Sequence, residues 1–300
     1  MPPRMRVAIL DDYQEVALTS TDWSVLKDRV SIDVYSNTIA DEDKLAQRLK
    51  DYEIICAMRE RTKFPASLLG KLPKLRLIAT TGVRNAGIDI GYARANGIVV
   101  SGTGAGGNST VEHIWALILA VARNISTDDG NVKRGLPQWQ TSVPVGLHGK
   151  TLGLLGIAKA FGMNVIGWSP NLTPERAHNA GVQFAQTKED LLLRSDFISL
   201  HLVLSERTRH ILTQADFDIM KPTALLINTS RGPLVDETAL IDAIRKKKIS
   251  GAGLDVFDQE PLPIVHELRM LENITLTPHT GYVNDTNYEV ISSFPANTRR

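Results

Sequence analysis

The sequence holds a single cysteine, Cys56, so no intrachain disulfide is possible. That residue lies inside the apolar run 53–58, where a buried, inert thiol is expected. Long apolar runs are also missing. No stretch reaches the length needed to cross a bilayer. The opening Met-Pro-Pro-Arg-Met-Arg leads straight into residues 7–10 without the apolar segment of a signal peptide. A soluble chain in a reducing, cytoplasmic setting is the expectation. Charge of one sign is not in excess: the formal net charge is +1, which gives no electrostatic reason to bind nucleic acid or an anionic membrane. The basic run 245–248 reads as the solvated end of a helix, where cations suit the macrodipole. No Cys/His cluster has zinc spacing, so no metal is expected. No Gly-Lys-Ser/Thr completes a Walker loop, and no Gly-x-Ser-x-Gly elbow occurs. No short-period repeat or low-complexity segment is present.

What remains is an alternation of apolar runs and amphipathic segments across 300 residues that are 43% hydrophobic. That length suits one large domain or two modest ones. Strands are expected at 7–10, 32–35, 54–58, 77–80 and 98–100, with helices at 41–50, 65–69 and 88–96. Gly97 stops the last of these. The glycine cluster 102–108 lacks dinucleotide spacing and reads as a hinge. Residues 109–124 follow as a long apolar helix, with Ser109 or Thr110 near its cap and Glu112 in its first turn. His113 and Trp115 on that helix read as packing residues. A second alternation places strands at 151–155, 164–168, 197–200, 224–228, 253–256 and 274–277. Helices fit at 174–180, 188–194, 213–219 and 237–246, the last capped by Asp236. The fold class is α/β, with two doubly wound parallel-sheet domains. The expected division is 1–102, with 283–300 returning to it, and 103–282.

Three phrases carry chemistry: Asn-Thr-Ser-Arg-Gly at 228–232, Leu-Asp-Val-Phe-Asp-Gln-Glu-Pro at 254–261 and Thr-Pro-His-Thr-Gly at 277–281. Each follows or ends a run that reads as a buried parallel strand. In an open α/β sheet such strand exits converge at one crevice, which would gather Arg231, Glu260 and His279. A fixed cation, a histidine and a carboxylate able to stabilise the protonated histidine form a set for moving a proton while holding an anionic substrate. A surface Arg–Glu pair beside a structural histidine is the bland alternative.

With these phrases the chain resembles the D-isomer-specific 2-hydroxyacid dehydrogenases, from about Ile54 to about Tyr288. The resemblance implies a flavodoxin-like substrate domain and a Rossmann-type cofactor domain. It implies NAD or NADP as cofactor, a small 2-keto or 2-hydroxy acid as substrate, and a homodimer with residues 109–124 and 128–149 near the two-fold. It makes Arg231 the group that grips the substrate, His279 the acid–base catalyst and Glu260 the carboxylate that holds that histidine protonated. Backbone amides near Thr81 and Gly82 would receive the substrate carboxylate. Gly156, Ser169, His201, Thr229, Ser230, Asp255 and Gly281 would lie along the cofactor.

The chain departs from the family pattern in three places. After Gly156 the expected second and third glycines and most of a helix are missing, and the sequence continues Ile-Ala-Lys-Ala-Phe-Gly162. A parallel crossover usually needs about 10–12 residues or more. The pattern therefore predicts that the strands at 151–155 and 164–168 do not pair in the usual parallel way, or that one is displaced. Either outcome would remove the helix N-terminus that binds pyrophosphate, leaving the cofactor domain incomplete. The exit Trp168-Ser-Pro-Asn171 lacks the carboxylate that selects NAD, a slight lean toward NADP. The family's long C-terminal helix is replaced by a segment that Pro295 interrupts. Together the losses point to a truncated isoform or a misread gene. Two classes stay open: an oxidoreductase with impaired cofactor binding, or a non-enzymatic binding protein or inactive isoform on that scaffold.

Overall fold

The structure is a computed structural model, and it describes residues 4–26, 28–82, 84–104, 109–137, 142–155 and 163–283. Contacts divide the chain into two units, Met1–Gly107 with Val283–Arg300, and Asn108–Tyr282.

The first unit is a five-stranded sheet built from β1 (Met5–Ile9), β2 (Val30–Val34), β3 (Ile54–Ala57), β4 (Leu77–Thr80) and β5 (Val99–Gly102). All neighbours are parallel, in the order β2-β1-β3-β4-β5. Three helices join them: α1 (Glu42–Leu49), α2 (Ala66–Leu69) and α3 (Ile90–Ala95). Strand side chains alternate between faces. Ala8, Ile55 and Ile78 join Leu45, Leu49, Leu68 and Ala93 in one core. Val7, Ile9, Ile54 and Cys56 point to the opposite face. There they line an apolar cavity of about 350 Å³ with Trp23, Leu26 and Leu77. Burial pushes the Cys56 thiol up to about 12, as an apolar setting should.

The second unit opens with α4 (Ser109–Ala122) and α5 (Ile125–Lys133). A parallel sheet follows, from β6 (Thr151–Leu155), β7 (Asn164–Gly167), β8 (Gln183–Phe184), β9 (Phe197–Leu200), β10 (Leu225–Asn228), β11 (Gly251–Leu254) and β12 (Ile274–Leu276). Its order is β12-β11-β10-β9-β6-β7-β8. Helices α6 (Pro174–Asn179), α7 (Lys188–Arg194), α8 (Gln214–Ile219) and α9 (Glu237–Arg245) connect them. Every residue of β9, β10 and β11 is buried, as a parallel sheet covered on both faces requires. On one face Ile198, Leu200 and Leu226 meet Leu191, Phe217, Leu240 and Ile244 of α7, α8 and α9. On the other, Leu152, Leu154, Phe197 and Ile227 meet Ile114, Leu117 and Ile118 of α4 and Ala177 of α6. Caps set the helix starts. Thr187 accepts from Asp190 N and Asp236 from Ala239 N, while Thr213 and Asp216 form a capping box. Each such cap contributes about 1 kcal/mol.

One expectation is overturned. Strands β6 and β7 are adjacent and parallel, with Thr151 opposite Asn164 and Leu154 opposite Gly167. The minimum length assumed for the crossover is that of a connection containing a helix. Returning from the end of β6 to the start of β7 needs only roughly 15 Å, and residues 156–163 can reach roughly 26 Å when extended. Gly156 and the rest of 156–162 lie outside the described residues, as do 284–300 with Pro295. Two short elements had no sequence signal: β8, of two residues, and α5, whose apolar positions follow no clear face.

Candidate active site

The sheet order of the second unit reverses between β6 and β9, and the crevice at such a reversal lies outside the C-terminal strand ends. The exits of β9, β10, β11 and β12 deliver His201, then Thr229–Ser230–Arg231, then Asp255–Glu260, then His279, to that one edge.

The β10 exit is fastened before it turns. Buried Asn228 donates from Nδ2 to Arg231 O at 2.9 Å and accepts from Ser230 N at 3.1 Å. Ser230 Oγ donates to Leu200 O at 2.7 Å, which ties the β10 exit to β9. Arg231 Nη1 donates to Ser230 O at 2.7 Å. Gly232 then passes so close to the β11 exit that a Cβ would sit 2.1 Å from Phe257 C and 2.3 Å from Phe257 O. Only glycine permits that approach. It brings the arginine turn against the segment that carries Glu260.

Glu260 is held at both oxygens. Oε1 accepts from Phe257 N at 2.9 Å, and Oε2 lies 2.6 Å from His279 Nδ1. The carboxylate accepts, so Nδ1 bears a proton and Nε2 is the nitrogen left for a reacting group. The His279 side chain is 16% exposed and that of Glu260 29%, so the pair is reachable at a cleft surface. His279 has φ 53°, a left-handed conformation that costs a non-glycine residue roughly 1–2 kcal/mol. Tyr282 packs edge-on against its ring, centroids 5.7 Å apart.

Asp255 fixes the turn that follows. Its carboxylate, 1% exposed, accepts from Thr280 N and Gly281 N, each at 2.8 Å, and from the Thr277 hydroxyl at 2.6 Å. His113 Nε2 lies 3.2 Å away. Burial alone would raise the Asp255 carboxyl. Hydrogen bonds from His113, Thr277, Thr280 and Gly281 outweigh it and hold the group below the ordinary value. Asp255, expected along the cofactor, is thus spent on protein groups. His113, expected to be packing, is hydrogen-bonded to it. The sequence could not pair them: they stand 142 positions apart.

Two buried polar atoms at the same edge have no partner among the described residues: His201 Nε2 and Thr229 Oγ1. Burial pushes the His201 imidazole down to about 4. Orphaned polar atoms at a strand edge suit the polar end of a bound nucleotide, so these residues fit a nicotinamide cofactor. Ser230 Oγ is taken by Leu200 O, and the Gly281 carbonyl accepts from Ser109 Oγ at 3.0 Å. Ser169 follows β7, and its carbonyl accepts from Leu172 N. No acidic residue lies in 168–171.

In the first unit, the two amides expected to receive a carboxylate are occupied. Thr81 N donates to Ala57 O at 3.1 Å, and Gly82 N donates to Thr103 Oγ1 at 2.9 Å. Gly82 has φ 88° and lies directly under the Arg59 guanidinium, whose Nη1 stands 2.1 Å from where a Cβ would be. Arg59 is the residue the sequence pattern did not single out. Its presence over the loop shows only once β3 and β4 are aligned. Among the described residues no cluster of His, Cys, Asp or Glu could hold a metal, and no helix is long and apolar enough to cross a membrane.

The family model for the NAD binding domain of D-isomer specific 2-hydroxyacid dehydrogenases matches residues 115–281. The chain is 35% identical to a D-3-phosphoglycerate dehydrogenase of Methanocaldococcus jannaschii over 92% of its own length and 53% of that protein's. It therefore spans about half of that relative. It is 41% identical to a glyoxylate reductase of Thermococcus litoralis, covering 73% of this chain and 71% of the relative. The crystal structure of a phosphoglycerate oxidoreductase from Vibrio cholerae O395 superposes with a TM-score of 0.90, at 32% identity, over 97% of each chain. The chain belongs to the D-isomer specific 2-hydroxyacid dehydrogenases.

Proposed function

We propose that this chain interconverts a small 2-keto acid and the D-2-hydroxy acid, with His279 exchanging the proton and with weakened hold on the cofactor. The observation that carries the reading is the 2.6 Å contact between His279 Nδ1 and Glu260 at a turn pinned by buried Asp255. A bound NAD or NADP supplies or accepts the hydride. In reduction the His279 imidazolium gives its Nε2 proton to the oxygen that gains charge; in oxidation neutral Nε2 takes the hydroxyl proton. Glu260 keeps the ring oriented and offsets its positive charge. Arg231 orients the substrate, since a guanidinium can hold a carboxylate and an adjacent oxygen bidentately. The Asn228 bonds and the Gly232 approach hold its backbone at the edge. His201 Nε2 and Thr229 Oγ1 would hold the cofactor's polar end, and Ser169, with Gly156, the part nearer β6 and β7.

Weakened cofactor binding is read from chain length. Only the eight residues 156–163 lie between the adjacent parallel strands β6 and β7, fewer than the about 10–12 of a crossover that carries a phosphate-binding helix. The absence of an acid after β7 supports acceptance of either NAD or NADP. Arg59 above Gly82 supports an anionic substrate. We assign the first unit to the substrate and the second to the cofactor, a cytoplasmic setting, and a homodimer. Exposed Val111, Ile125 and Val132 on α4 and α5 supply an apolar surface for the last.

The same short connection favours a second reading, a binding protein without turnover. NADH and NADPH are titrated into the purified chain, and glyoxylate and hydroxypyruvate reduction is measured with and without a glycine loop and helix inserted between Gly156 and Ile157. The expected result is activity with the insertion, weak or no activity without it, and loss of about 10²–10⁴-fold in kcat on His279→Ala in the inserted form. Equal activity with and without the insertion would refute the weakened-cofactor reading. No activity in either form would favour the binding protein.

A further inference from the structure

We propose that His113 is a positioning residue: through Asp255 it holds the amides of Thr280 and Gly281, and so sets the backbone that presents His279. This rests on the reading of His279 as the proton-exchanging group.

The geometry fixes the direction of each bond. His113 Nε2 lies 3.2 Å from Asp255 Oδ1 and 3.0 Å from Thr277 Oγ1. The Thr277 hydroxyl gives its own proton to Asp255 Oδ1 at 2.6 Å, so its oxygen can only accept from the ring. Both neighbours of Nε2 are acceptors, and the nitrogen must therefore carry a proton whether the ring is neutral or charged. His113 is a donor to a buried carboxylate that also accepts from Thr280 N and Gly281 N. Removing one donor from such a group leaves a buried charge short of partners, and the remaining bonds must rearrange to serve it.

The ring also lies beside the turn, close enough to leave little space for a side chain at Gly281. A Cβ at Gly281 would come 3.0 Å from Asp255 Oδ2 and 3.5 Å from His113 Cδ2. One helical turn earlier, Ser109 Oγ donates to Gly281 O at 3.0 Å. The first turns of α4 thus secure Gly281 from two sides, its carbonyl through Ser109 and its amide through His113 and Asp255. This matters because His279 sits at φ 53°. A residue in that conformation holds it only when its surroundings over-determine it. Glu260 restrains the ring. The backbone after the ring is restrained by Asp255, and Asp255 is restrained by α4.

A packing histidine would predict neither a loss of protection in His113→Leu nor its return in His113→Gln. Amide hydrogen exchange at Thr280 and Gly281 is measured by NMR in the protein without added cofactor, for wild type, His113→Gln, His113→Leu and Thr277→Val. Gln places an N–H donor near Nε2. His113→Leu is expected to exchange both amides at least about tenfold faster, with Leu226 in β10 unchanged, and His113→Gln to restore protection. Thr277→Val, which removes the bridge without touching α4, should loosen the same two amides. A downfield Nδ1 proton of His279, identified by its absence in His279→Ala, should persist in His113→Gln and broaden in His113→Leu. Unchanged protection in His113→Leu or in Thr277→Val, or equal loss in His113→Gln, overturns the proposal. If His113→Leu does not fold, His113→Phe, a ring without an N–H donor, takes its place in the comparison with His113→Gln. Should the exchange results hold while His279→Ala keeps its turnover, the positioning role stands and the acid–base reading of His279 falls.

Discussion

His201 shows how burial fixes the charge of one side chain. Its ring is pushed down to about 4 from the ordinary 6.5 because burial strips it of water and no partner among the described residues repays the loss. The folded protein therefore holds it neutral while the unfolded chain binds a proton. Its contribution to stability is complete above about pH 6.5 and is lost as pH falls toward 4. We expect His201→Gln to lose less stability than wild type between pH 7 and pH 4.5, by on the order of 2 kcal/mol, in urea unfolding at the two values. Equal acid sensitivity would mean that the ring is solvated in the folded state. The meeting of Glu260 with His279 was expected from the phrases that follow neighbouring strands, whereas His201 was singled out only by the family resemblance. The roles of Arg59 and His113 were not legible. They depend on which strands become neighbours, and single-residue patterns carry no record of that.

Elements are where glycine decides position. Gly232 meets the Phe257 backbone at a distance no side chain tolerates. Gly232→Ala should therefore push residues 257–260 away and separate Glu260 from His279. We expect a cost of at least about 2 kcal/mol in unfolding and, in the form carrying the inserted loop and helix, a fall in kcat larger than the rise in KM. A variant with wild-type stability and kcat would contradict the close approach. Glycine also blurred the sequence pattern. β11 was expected at 253–256 and lies at Gly251–Leu254. Gly251 is required there because a Cβ would strike Asn273 O at 2.2 Å, and Gly253 packs beneath Leu117 of α4. Small residues chosen for close packing carry no strand propensity, so the register slipped. By contrast β4, β6 and β9 were placed on their observed residues, because their Leu, Ile and Phe side chains supply the burial directly.

At the scale of the whole molecule, two parallel sheets form from one continuous alternation, and that alternation is strong enough to read without knowing which strands pair. Pairing was the part that failed, at β6 and β7, because the rule applied concerns connections that contain a helix. Exposed Val111, Ile125 and Val132 give a molecular-scale expectation. Sedimentation of the wild type should report a dimer, and Ile125→Asp with Val132→Asp should shift it to monomer. A monomeric wild type at micromolar concentration would remove the dimer from the proposal.

The strand order has a consequence for synthesis on the ribosome. β6 is an interior strand of its sheet, with β7 on one side and β9 on the other. Translation delivers β7 and β8 first, so one edge of β6 waits unpaired until residues 197–200 emerge. During that interval the nascent chain carries an open, apolar strand edge of the kind that recruits foreign strands. Chaperone capture of stalled chains should therefore peak for stalls between β8 and β9 and drop once Leu200 has cleared the exit tunnel.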